Sequence, residues 1–101
     1  MKRKITVSDW DSSEYLGTER DIAVYLDIVL AENDGELLKL ALGNIARARG
    51  MTEIARKANV TREGLYTSLS ENGNPSFSTM GKVLNAFGLR FSTVPLQNPT
   101  A

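Results

Sequence analysis

The sequence predicts a mainly α fold, five short helices with a short extended strand near each terminus. Apolar residues recur at i, i+3, i+4 and i+7 in successive segments, turn and capping residues separate those segments, and strict apolar alternation occurs only near the two ends. With 101 residues, 42% of them apolar, the chain suffices for one domain around one modest core. The expected organisation is a single domain over 1–101. An extended N-terminal segment covers 1–18, the first helix and its turn 19–36, a helical core 37–90, and a C-terminal strand and tail 91–101.

The elements follow in order. Ile5 and Val7 share one face of a short extended segment. Thr18 with Asp21 three residues on resembles a capping box, and Ile22, Tyr25, Leu26, Val29 and Leu30 then form one apolar stripe, which predicts a helix over about 19–32. Asn33-Asp34-Gly35 is a turn in which Asp34 caps the next helix, whose stripe is Leu38, Ala41, Leu42, Ile45 and Ala46. Arg47 and Arg49 suit the negative end of that helix, and Gly50 closes it. Thr52 opens a short third helix ending near Ala58. Asn59 supplies a left-handed turn, and a fourth helix follows at Arg62–Leu69. Glu71-Asn72-Gly73-Asn74-Pro75 is a loop. Ser76 or Ser78 caps a last helix carrying Met80, Val83, Leu84 and Phe87 and stopped by Gly88. Leu89 to Val94 alternates as a strand and ends at Pro95. Two strands alone are marginal, so such a pair would lean on the helices.

Composition excludes whole classes of chemistry. With no Cys there is no disulfide scaffold, thiol catalysis or cysteine zinc site, and with no His every His-dependent triad and the commonest zinc ligand are gone. No enzyme activity, metal or cofactor is expected. Met-Lys-Arg-Lys at the start is not followed by an apolar run of signal-peptide length, and no stretch approaches a bilayer span. A cytoplasmic protein with no membrane partner is the expectation.

Residues 51–69 meet the geometric demands of a helix-turn-helix. Ala55 is small where two helices cross, Asn59 tolerates positive φ, and Ile54, Ala58, Val60 and Leu65 lock the pair against the other helices. In its pattern from Thr52 through Leu65, with flanking helices at about 37–49 and 76–88, the sequence resembles the Cro/repressor-type (Xre-like) helix-turn-helix family over residues 37–90. Two positions depart from that family's pattern: Asn59 stands where Gly is usual, and Ser68 where an apolar residue is usual, with Leu69 beside it as a substitute.

A closer resemblance runs through nearly the whole chain. Its blocks are Asp9 to Leu16, Asp21 to Leu26, Leu42 to Thr52, Arg62 to Tyr66 and Gly73 to Phe77. In their order they resemble the probable addiction-module antidote proteins, a HigA-like antitoxin family. The resemblance implies an antitoxin of a type II toxin–antitoxin module. Such a protein binds and neutralises a RelE/ParE-like (HigB-like) toxin and represses their shared operon through its helix-turn-helix.

Charge placement agrees with two kinds of partner. Total charge is zero, yet residues 8–36 hold nine acids against Arg20 alone, a net of −8, while residues 39–67 hold six bases against two acids, a net of +4. In a helix-turn-helix the second helix enters the major groove of operator DNA, so Arg62, Glu63, Tyr66 and Thr67 are the candidate base readers. Arg62 suits guanine, and Glu63 either accepts from cytosine or orients Arg62. Thr52 and Thr61 at helix starts, with Arg56, Lys57, Asn72 and Asn74, are candidates for phosphate contacts. So small a module is expected to bind as a homodimer on half-sites about one helical turn, ~34 Å, apart. Phe91, Val94 and Leu96 are candidates for the dimer contact. Asp9, Asp11, Glu14 and Glu19 complement a basic toxin, with Trp10 and Tyr15 as aromatic anchors.

Two rival readings remain at this level. Asp9, Asp11 and Glu14 lie close together but lack the spacing of a calcium loop. A stand-alone phage-like repressor without a toxin would share the helix-turn-helix but have no adjacent partner gene.

Overall fold

The computed structural model describes residues 17–96, in which five α-helices occur in the order α1 Glu19–Ala31, α2 Gly35–Arg49, α3 Met51–Ala58, α4 Arg62–Ser68 and α5 Phe77–Ala86. Each start has a local cause. Thr18 Oγ1 accepts from the Asp21 amide at 3.1 Å, Asp34 Oδ1 from the amides of Glu36 at 3.0 Å and Leu37 at 3.2 Å, Thr61 Oγ1 from Gly64 at 2.9 Å, and Ser76 Oγ from Thr79 at 3.0 Å. Of the two serines offered by the sequence, Ser76 is the cap.

The third helix differs. It begins at Met51 rather than Thr52, because Gly50, at φ 103°, ends α2 and starts α3 with no side-chain cap. Thr52 therefore lies one residue inside the first turn.

Two helix ends use the same device. After α3 the Val60 amide donates to the Ala55 carbonyl at 3.0 Å and the Asn59 amide to that of Arg56 at 3.1 Å, with Asn59 left-handed at φ 61°, ψ 44°. After α5 Leu89 donates to Leu84 and Gly88 to Asn85, both at 2.9 Å, with Gly88 at φ 90°. Both are six-to-one and five-to-two pairs, which satisfy carbonyls that the helix leaves open. Val60 and Leu89, the residues after each turn, fold back onto the core.

α3 packs against α2, α4 and α5, and α1 lies along α2. One cluster takes Ile22, Leu26 and Val29 from α1, Leu42 and Ile45 from α2, Ile54 and Ala55 from α3, Leu65 from α4, Leu69 just beyond it, and Val83 and Leu84 from α5, with Phe87 closing it. Ala55 sits in that core, as a crossing of helices requires. Leu69 is buried while Ser68 is only half buried and donates to the Leu65 carbonyl at 3.1 Å, so Leu69 carries the apolar role.

The expected C-terminal strand is not formed. Residues 89–96 have no strand, and among the described residues there is no neighbouring strand to complete a ladder. The alternation has another cause: Leu89 and Phe91 turn inward to the core, and Phe91 stacks on Phe77 with ring centroids 5.2 Å apart. Val94 and Leu96 are exposed. The expected N-terminal strand at Ile5 and Val7 lies outside the described residues.

Candidate functional site

The richest exposed chemistry is on α3, α4 and the loop that follows. α4 buries Leu65, and Leu69 just beyond it. At 100° per residue Glu63 and Thr67 fall opposite Leu65 and Tyr66 lies at the side, while Arg62, 60° from Leu65, is open to solvent at the first turn of the helix; all four are exposed, Tyr66 at 55%. Arg62 and Glu63 form no ion pair with any other described residue. Glu63 and Arg62 are thus not paired with each other. Thr52, Arg56, Lys57, Thr61, Asn72 and Asn74 are also exposed, so all ten candidates for DNA contact face solvent. The αL turn at Asn59 and the Thr61 cap fix how α4 leaves α3.

Arg56 and Lys57 are not free cations. Glu53, one turn earlier, accepts from Arg56 Nε at 3.2 Å and from its Nη2, and Lys57 Nζ lies 3.9 Å from the same carboxylate. The Arg56 hydrogen bond, helped by the charges of Arg56 and Lys57, holds the Glu53 carboxyl below its usual range, and the same bond raises Arg56. The i, i+3 and i, i+4 spacing made this pairing readable in the sequence.

Lys39, counted in the basic segment, contributes no surface charge there. Its side chain is 4% exposed, and its Nζ donates to the carbonyls of Glu71 at 2.9 Å and Gly73 at 2.7 Å, with Glu36 3.2 Å away. The ammonium fastens the loop after α4, which carries Asn72 and Asn74, to α2. Gly73 is required there, since a Cβ would stand 2.2 Å from the Thr67 carbonyl oxygen. No periodicity rule flags Lys39, because its partners are backbone carbonyls more than thirty residues away.

Asp9, Trp10, Asp11, Glu14 and Tyr15, the candidates for toxin contact, lie outside the described residues. Among the described residues no group of three acidic, His or Cys side chains stands close enough to hold a metal ion, and no helix is long and apolar enough to cross a membrane.

Fold and surface together define a small five-helix domain whose exposed polar chemistry is gathered on two short helices and one pinned loop. The model of a protein family described as probable addiction module antidote protein matches residues 6–95, and this chain belongs to that family. It is also 49% identical over 85 residues to an uncharacterized protein of Haemophilus influenzae, covering 84% of this chain and 88% of that one. No solved structure matches it. Membership in an antidote family implies a toxin partner of some kind.

Proposed function

We propose that this protein is a HigA-like antitoxin that neutralises a RelE/ParE-like (HigB-like) toxin by binding it and, as a cytoplasmic homodimer, represses their shared operon. It performs no catalysis. The α3–turn–α4 unit acts as a Cro/repressor-type helix-turn-helix on operator DNA. The observation that carries this reading is the exposed row Arg62, Glu63, Tyr66 and Thr67 on a helix capped by Thr61 and set by a left-handed Asn59. Laid in a major groove, that row presents a forked donor, an acceptor, an aromatic edge and a methyl-bearing hydroxyl to base edges. Thr61 keeps its hydroxyl proton for a phosphate, because only its oxygen is used by the Gly64 amide. Thr52, Asn72 and Asn74 add neutral phosphate contacts, and Arg56 and Lys57 add charged ones as they exchange Glu53 for phosphate. The acidic segment with Asp9, Trp10, Asp11, Glu14 and Tyr15 engages the toxin.

The test is a shift assay on the chain's own upstream region with Arg62→Ala and Tyr66→Ala. Each variant is expected to lose about 1–3 kcal/mol of specific binding, roughly 5- to 150-fold. Parental affinity in both variants across several salt concentrations would overturn the assignment. Deleting residues 1–16 is expected to weaken toxin binding and leave the DNA shift intact.

A further inference from the structure

We propose that the outward face of α1 is a docking surface for a basic protein surface bearing an aliphatic depression, which is the toxin's contribution to the complex. The inference rests on the antidote reading and assigns it a second contact region, separate from the N-terminal segment.

α1 is apolar on two sides, and the fold covers only one. Ile22, Leu26 and Val29 point into the core. On the opposite side Val24 and Ile28, four residues apart, are 56% and 38% exposed, and Ala31 continues the stripe one turn on. A helix facing only water has polar residues at those positions. Asp21 and Asp27 flank the stripe, and Arg20, the only base in the helix, lies on the same side one turn before Val24, so these three leave the face with one net negative charge.

Charge selects the occupant. A second copy laid face to face would bring its own two carboxylates against these with only one Arg20 on each side to offset them, and nucleic acid or an anionic lipid surface would meet that one arginine beside two carboxylates. The adjoining residues 8–16 carry Asp9, Asp11 and Glu14 with no base, so they too share the sign of the face. A cationic protein surface is the complement. In such a contact Val24 and Ile28 supply affinity by burial, and the two carboxylates speed and orient the encounter.

The test uses the full-length chain and the product of the gene adjacent to it, titrated against each other. Val24→Glu/Ile28→Glu and the milder Val24→Ala/Ile28→Ala are expected to weaken binding, the charged pair at least tenfold, while the melting temperature and the operator shift stay at parental values. Asp21→Asn/Asp27→Asn is expected to slow association and flatten its salt dependence. Parental affinity in the Val24/Ile28 variants overturns this inference alone. If the parent itself does not bind the adjacent product, the antidote reading fails and takes the inference with it. A fall in melting temperature would mean that the face is covered within the chain. A change from dimer to monomer in sedimentation would mean that a second copy covers it, and either result also overturns the proposal.

Discussion

Single side chains hold this fold in ways that differ in kind. Lys39 places a charge under the surface and satisfies two carbonyls of the loop after α4. Lys39→Met fills a similar volume but leaves those carbonyls without their donor, and is expected to lower stability by about 1–3 kcal/mol in urea unfolding. Asn59 holds a positive φ that asparagine accepts and a β-branched residue does not. Asn59→Val is expected to cost about 1–2 kcal/mol, while Asn59→Gly stays within a few tenths of the parent, both read from the same unfolding curves. Asn59 was readable from the sequence because its signal is local. Lys39 was not, since its partners are distant carbonyls.

At the level of the element, α3 carries its own brake. Glu53 engages Arg56 and Lys57 along one face, so the cations nearest the turn are partly neutralised, and on the proposed DNA-binding reading a phosphate would have to displace that carboxylate. Glu53→Gln is expected to free them, tightening operator binding and steepening the dependence of log K on log salt by about one per added phosphate contact. An unchanged slope would show that these cations do not reach the backbone. The pH dependence has a defined sign. Because Glu53's folded pKa is lowered, the pairing's stabilisation is present above the unfolded carboxyl value and is lost as pH falls through the folded one. At that acid limit the parent is expected to approach the salt slope of Glu53→Gln. The starts and stops of α1, α4 and α5 were legible because caps act within three residues. The start of α3 was misplaced by one residue, since Gly50 serves two helices and no side chain marks the boundary.

Across the whole molecule, one cluster joins all five helices. Unfolding is therefore expected to be a single cooperative transition. Ile45→Ala, at a fully buried position of α2, is expected to remove about 2–5 kcal/mol. Circular dichroism and amide-exchange protection in α1 and α5 should then fall together, and separate transitions would argue against a single core. The zero net charge is likewise a property of the whole that conceals its parts. Acids dominate α1 and its flanks and bases dominate the α2 end through α4, although Lys39 is withdrawn from that surface and Arg56 and Lys57 are shared with Glu53.

By itself the sequence determined the five helices, three of their four side-chain caps outright, the left-handed turn at Asn59, the glycine stop after α5 and the outward placing of Glu63 and Thr67 on α4. These depend on contacts within about one helical turn and on the period of 3.6. Only the tertiary structure decided the fate of Leu89–Leu96. Alternation marks a strand only when another strand lies beside it. Here the inward residues meet helices, and Phe91 finds Phe77. Tertiary packing also decided which α1 residues stay uncovered, because a helix with apolar residues on two sides cannot say which side the core will take.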